Sequence, residues 1–560
     1  MIIETLPFRR HAIALILAAA TGSAHAGTIN VNNSCSLVDA ITSANTDQAT
    51  GGCAAGNGAD SINLVANKTY ILTTVNNNSD GPNGLPSVTS FITINGNGAA
   101  VVRSGNESFR LIHVAATGNL SLNNIKLKNG QIDQSPYLGG GGGIFNAGGQ
   151  LALTNSAITD NSANGYFSCG GGIYTTIGSV TTLNDGSIVS GNEAQLGAGI
   201  CNKGSIKLKK SAVINNAASG MGYYGGEGGG IWNKSELTLI ESIVSGNSAA
   251  PPFIVGYSGG TGGGITSSGT LVADKSVISN NKAYKGGGIV SNGGRSTLIN
   301  DTLSGNKALS FCDVDLSCSS GTGGGILTNS GTMFLTHTTV SGSLGGGIFN
   351  NGGSLKLTNS LIANSEKGGD CFSAAGAILQ LQGVNLIEDG SCGAPLSGDP
   401  KLGFLLDNGG FTPTHALAAA SPAVNKADST KCLFTDQRSV KRPQPAGSQC
   451  DIGAFERIPV SQSVLDTVHF FNTQIASGGI IGVGTQPLAD QRRSAALYQL
   501  ISAGNYRDQA LKSKACTQLA HLLTRIDPDN TPDHNDYVTG SETDTLAEKI
   551  TALRIKWVCS

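Results

Sequence analysis

Gly141–Asn161 reads GGGIFNAGGQLALTNSAITDN, and Gly345–Ser365 reads GGGIFNNGGSLKLTNSLIANS. Between them the phrase Gly-Gly-Gly-Ile, or a close variant, keeps returning. Its isoleucine falls at Ile144, Ile173, Ile200, Ile231, Ile265, Ile289, Ile326 and Ile348. The tightest spacing, Ile326 to Ile348, is 22 residues. That is too short for a strand–helix–strand unit and fits three short strands joined by turns. One such unit cannot bury its apolar face alone, so neighbouring copies must stack.

In LALTNSAI, Leu151, Leu153 and Ile158 alternate with small or polar residues. This is the two-residue period of strands with one buried face. Stacked copies then make an all-β parallel β-helix. A right-handed coil is expected, because parallel crossovers almost always take that hand. Each copy closes on an asparagine, at Asn161, Asn192, Asn216, Asn247, Asn281 and Asn306, and the column ends in Ser343 and Ser365. A buried amide needs partners, and amides in register can bond one another. An asparagine ladder at one turn of the coil is therefore expected.

Glycine, 80 of 560 residues, is about twice its ordinary usage, without a strict triplet period. With charged residues at 13%, this fits a β-solenoid better than collagen or disorder. A formal net charge of -2 gives no basic field for nucleic acid. Residues 1–26 have the form of a secretory signal: Arg9 and Arg10, then AIALILAAA, then Ala24-His25-Ala26. The apolar run is too short to span a bilayer, so the mature chain is expected to carry no transmembrane segment. Twelve cysteines in an exported chain read as pairs of neighbours. The pairs are Cys35 with Cys53, Cys169 with Cys201, Cys312 with Cys318, Cys371 with Cys392, Cys432 with Cys450, and Cys516 with Cys559. Absence of a tight CxxC argues against a metal site, and no cofactor is expected.

Several stretches resemble known families. CSLVDA at Cys35–Ala40 is similar to the CSLREA-type N-terminal motif of secreted bacterial β-helix proteins, with Val38-Asp39 where the family has Arg-Glu. Leu37, Ile41 and Ala44 lie at helical spacing, so Ser36–Asn45 reads as a short helix capping the solenoid. The GGGI phrases, best at Phe145-Asn146 and Phe349-Asn350, resemble the repeats of polymorphic outer-membrane proteins, which implies surface display or adhesion. The chain's end lacks the alternating strands of a membrane barrel. Residues 365–457 carry Asp399-Pro400, Asn408-Gly409-Gly410, Thr414-His415, Ser421-Pro422 and Asp451-Ile452-Gly453-Ala454. They resemble the C-terminal coil signature of choice-of-anchor bacterial surface proteins. From Gln491 the pattern turns helical, and Ala515–Leu519 is similar to a small helical module appended to exported bacterial proteins. The expected plan is a signal at 1–26, a cap at 27–64, the β-helix at 65–364, C-terminal coils and cap at 365–457, a linker at 458–490 and a helical module at 491–560.

Extra residues always enter between the closing asparagine and the next glycine run, so the inserts should leave one edge. They carry Tyr166, Phe167, Tyr223, Tyr224, Phe253, Tyr257 and Phe311. The residue after each isoleucine should point outward, giving Phe145, Tyr174, Cys201, Trp232, Thr266, Val290, Leu327 and Phe349. The candidate binding residues are Phe145, Tyr174, Trp232, Tyr223, Tyr224, Tyr257 and Phe349, an aromatic stripe suited to sugar rings or a partner protein. The competing expectation is that the loops fold down over it. A second outward column, Asn155, Gly186, Lys210, Glu241, Lys275, Asn300, His337 and Asn359, reads as a solvated face. Asp313 and Asp315 are the best calcium candidates, and a weak pair. The coil acids Asp160, Asp185, Glu193, Glu241, Asp274 and Asp301 do not align on adjacent copies, and His113 and His337 stand alone. The resulting expectation is an exported, cell-surface or secreted, adhesin-like protein without catalytic residues, binding a glycan or a surface protein. A polysaccharide lyase or glycoside hydrolase is the alternative.

Overall fold

The computed structural model describes residues 27–133, 140–220, 224–251, 260–312, 318–458, 462–485, 488–508, 512–527, 532–533 and 535–559. The expected signal, together with Tyr223, Phe253, Tyr257, Asp313 and Asp315, lies outside them.

The repeats form a parallel β-helix. Each isoleucine of the repeat pairs in register with the next, from Ile144 to Ile173 and onward to Ile348. All eight are buried at 0–1% exposure, in one continuous internal row. A fully buried isoleucine stabilises by about 1.5–3 kcal/mol, so the row is a principal reason the copies stack. A coil contains four strands on three sheets, rather than the expected three. In the first copy these are Ile144–Asn146 and Gln150–Thr154 in one sheet, Ala157–Thr159 in a second, and Ser162–Asn164 in a third.

The asparagine ladder is present. Asn161 Nδ2 donates to Asn192 Oδ1 at 3.0 Å, and the same bond recurs from Asn192 to Asn216, Asn247, Asn281 and Asn306 at 2.9–3.0 Å. Each backbone N–H donates to the same oxygen one coil on, as from Asn216 N to Asn247 Oδ1 at 2.9 Å. The glycine run exists to let this turn close. Gly228 has φ +63, a left-handed conformation that glycine adopts without cost. A Cβ on Gly229 would sit 2.3 Å from the Ser248 carbonyl oxygen, and one on Gly230 2.7 Å from that of Gly264 and 3.0 Å from the Asn247 amide.

The second outward column is a turn column. Its non-glycine members share φ of 47–54°. Lys210 and Glu241 face one another there at 3.8 Å, but Asn300, His337 and Asn359 are buried, against the expected solvated face. The cause is the C-terminal segment, which folds back along the solenoid. Asn300 Nδ2 donates to Thr435 O, Thr302 Oγ1 to Gln437 Oε1, and Ala454 N to Thr339 Oγ1. This segment holds itself together with two buried ion pairs, Arg438–Asp436 and Arg442–Glu456, each at 2.7 Å. Asp451 accepts from the backbone N–H of Asn425 and Arg457.

At the other end, helix α1 (Leu37–Thr46) caps the first coils with Leu37, Ala40, Ile41 and Ala44 buried, its N-terminus closed by Ser36 Oγ accepting from Asp39 N. Helices α2 (Gln462–Ser477), α3 (Leu488–Asp508), α4 (Lys512–Leu523) and α5 (Thr543–Lys556) form one further core around Phe471, Leu500, Leu519, Ile550 and Trp557. Helix α2 falls in the stretch expected to hold a strand or helix lead-in and a linker. Its Val464 and Phe471 are buried in that core, so the stretch is part of the helical module. Bonds join Cys35 to Cys53, Cys169 to Cys201, Cys312 to Cys318, Cys371 to Cys392, Cys432 to Cys450, and Cys516 to Cys559. Disulfides in this number are consistent with an oxidising compartment outside the cytoplasm. No described helix is long and apolar enough to cross a membrane.

Candidate binding face

The residues after each isoleucine form a row in register on the outer side of the first sheet. The row is longer than the sequence suggested: it begins at His113, paired with Phe145, and ends at Phe372, paired with Phe349. Over it lies a second ladder, made by the residues that lead into the glycine runs: Gly140, Cys169, Leu196, Glu227, Thr261, Lys285 and Thr322. Contacts between the two are specific. Cys201 is bonded to Cys169, Trp232 Nε1 donates to Glu227 Oε2 at 3.0 Å, and Thr266 Oγ1 donates to Thr261 O at 3.0 Å.

Of the two alternatives for the stripe, open or covered by the loops, most of its members are covered. Phe145, Cys201, Thr266, Val290 and Leu327 are buried, while Tyr174, Trp232 and Phe349 are half-buried. The reason is geometric: every insert must return to its glycine run, and the returning chain crosses the row. Phe145, proposed from sequence as a binding residue, is instead a packing residue. It lies between His113 and Tyr174, ring centroids 5.7 and 5.0 Å away, with the Arg110 guanidinium 4.6 Å from its own. The Tyr174 hydroxyl accepts from Lys203 Nζ at 2.9 Å, and Lys234 Nζ stands 4.6 Å from the Trp232 ring centroid.

His113 is not the lone histidine it looked. Its Nε2 meets Asp80 Oδ2 at 3.0 Å and its Nδ1 meets Ser87 Oγ at 2.9 Å. Burial pushes its pKa below the ordinary value, although Asp80 pulls the other way. Aligning Ile112 with Ile144 would have found it. His415 packs: Nδ1 bonds the Gly403 carbonyl and Nε2 the Ser304 hydroxyl. Asp301 belongs to an internal turn, accepting from the N–H of Ser276 and Ile299, and burial drives its pKa well up. His337, Cys432 and Cys450 cluster with ligand atoms within 4.8 Å of one another, but the cysteines are spent in a disulfide.

What the looped edge leaves open are the inserts themselves. Tyr166, Phe167 and Tyr224 are 47, 44 and 41% exposed. Phe167 and Tyr224 come from inserts two coils apart, yet their ring centroids are 5.4 Å apart. Gln195, on the intervening coil, joins them: its Oε1 accepts from Phe167 N and its Nε2 donates to Tyr224 O. The pair is an aromatic platform fixed by a side chain between its two loops.

No protein-family model matches the chain, and no curated protein matches it significantly. Among solved structures, the crystal structure of pectate lyase Pel9A is similar at a TM-score of 0.34. That match covers 71% of this chain and 88% of the other, at 14% identity. A likeness so low says nothing about this chain's activity.

Proposed function

We propose that this chain is an exported binding protein, displayed at the cell surface or released, which presents the looped edge of its solenoid to a glycan or a partner protein. The single observation that carries the reading is the Phe167–Tyr224 platform. Two partly exposed aromatic rings in contact make a contiguous apolar patch, which is what distinguishes a contact site from scattered surface hydrophobics. Gln195 spends its amide on fixing them rather than on burying them. A rigid, amphipathic ring pair suits the C–H face of a sugar or a protein side chain. The disulfide pairs support export. The readings of surface anchoring and adhesion rest on the resemblances of the GGGI repeats and of residues 365–457.

The test is a broad glycan array probed with the mature chain, beside the same chain carrying Phe167→Ala and Tyr224→Ala. Binding that falls at least tenfold in the double variant, without conversion of the bound glycan, supports the proposal. New reducing ends or unsaturated products would replace it with a polysaccharide-acting enzyme.

A further inference from the structure

Farther along the same edge, the third sheet ends in a trough. Its floor is a column of buried alanines, Ala218, Ala249, Ala283 and Ala308, each 2–3% exposed. Successive coils set these small side chains abreast, Ala218 with Ala249 and Ala283 with Ala308. Two depressions follow one another along the solenoid axis, of about 300 and 390 Å³, and meet at Leu309 and Ser310. Tyr284 and Phe311 form the wall of the first, ring centroids 6.0 Å apart, and Phe349 lines the second.

Among the described residues that line the two depressions, the charged ones are both lysines, Lys282 and Lys367, although Glu366 is exposed beside the second. Lys282 and Lys307 lie directly abreast on adjacent parallel strands, and both are exposed. Like charges in that position destabilise a sheet. Lys285 and Lys367 are exposed nearby, and Lys282 and Lys367 themselves line the two depressions. None of the four has a carboxylate partner among the described residues, whereas Lys128, Lys210 and Lys431 each have one. The small floor repeats with the coil, while the rings and cations gather where Lys282 and Lys307 lie abreast.

We infer that this trough holds an extended, anionic linear polysaccharide, laid along the solenoid axis with its acidic groups against Lys282, Lys307 and Lys367. The inference rests on the binding reading above and names its ligand class. A sugar chain fits better than nucleic acid. The walls offer apolar ring surface at side-chain width, and a chain of net charge -2 lacks the broad basic face that a phosphate backbone requires. Carboxylate and sulfate present the same chemistry to lysine.

The experiment measures binding of the mature chain to four probes: alginate, heparin, dextran and a 30-nucleotide oligo(dT). Alginate separates a carboxylate polymer from the sulfated heparin. Binding to at least one of these two is expected, weakening at least tenfold between 50 and 200 mM salt. The double variant Lys282→Glu, Lys307→Glu should lose at least tenfold in affinity. Lys207→Glu with Lys209→Glu, on the exposed side of the first sheet, should lose none. Unchanged thermal unfolding of both variants verifies the fold. The inference is overturned if charge reversal leaves affinity unchanged, if oligo(dT) binds as tightly as the polysaccharides, or if neither anionic polymer binds. Binding to dextran alone, lost on Phe167→Ala, would sink the anionic trough and leave the broader binding reading standing.

Discussion

Asn247 shows how much one side chain carries. Its Oδ1 accepts from both the backbone N–H and the amide of Asn216, and its own amide donates to Val213 O and to Asn281 Oδ1. Asn247→Ala leaves the buried Asn216 N–H without its acceptor and removes the amide donor from Val213 O, while Asn281 keeps the bond from the Asn247 backbone. With an unpaired buried polar group costing about 1–3 kcal/mol, we expect a loss of about 3 kcal/mol or more in chemical denaturation. Ser343 and Ser365 fill the same column farther on without a side-chain partner, so Ser343→Ala should cost under about 1 kcal/mol in the same assay. Gly230→Ala is a sharper case. The added Cβ meets the Gly264 carbonyl oxygen at 2.7 Å, and backbone cannot swing aside as a side chain can. It should destabilise by about 2 kcal/mol or more, within the range of core overpacking, whereas Gly178→Ala, where nothing lies within 4 Å, carries only the cost of its positive φ. Comparing the two denaturation midpoints separates collision from conformation.

The elements divide by how their partners are encoded. The internal isoleucine row was legible because one residue type recurs once per coil, and the ladder asparagines likewise. The row outside it was legible in register but not in exposure: nothing in Phe145 or Val290 says that a returning insert will cover it. His113 was missed because its coil reads FRLIHVA and lacks the glycine phrase that marks the others. The path of the C-terminal segment was hidden for another reason. Thr302 and Gln437, which share a buried bond of 2.6 Å, are 135 residues apart, and no periodicity links them. Two predictions belong to that segment and to the turn column it covers. Arg442 donates to Glu456, to Asp451 O and to Gly453 O inside the fold. Arg442→Met leaves a buried carboxylate unpaired, at a cost of about 3–5 kcal/mol, and limited proteolysis should then cut between residues 408 and 457 while the coils above stay intact. Buried His337 and His415 have pKa values pushed below their ordinary 6.5 by burial. Above that pH neither state is protonated and their contribution is complete. As pH falls below it, the unfolded chain takes up protons that the folded chain refuses, and stability drops until the lower folded values are reached. The histidine contribution to the thermal midpoint should therefore fall from pH 7 to pH 5, against the opposite pull of Glu456, which burial raises to about 7. Relative to the unsubstituted chain, His415→Gln should lose less stability over that descent.

As a whole, the molecule joins two kinds of cooperativity. In the solenoid each coil touches its neighbours, so stability adds along the axis; in the helical module four helices share one small core. The Cys516–Cys559 bond closes a 43-residue loop there, worth about 4 kcal/mol by the chain-entropy relation. Cys516→Ser with Cys559→Ser should lower the module's unfolding midpoint, read by helical circular dichroism, and leave the solenoid's unchanged. The shared left-handed turn column has a further consequence. Because Lys210, Glu241, Lys275 and Asn300 bend the backbone alike whatever their chemistry, a coil can be duplicated or deleted without refitting the joints on either side. The solenoid is thus a graduated rule whose marks are the protruding inserts. Gene-level gain or loss of one repeat would slide every insert beyond it by a single division, and reset the distance between contact points without redesigning any of them.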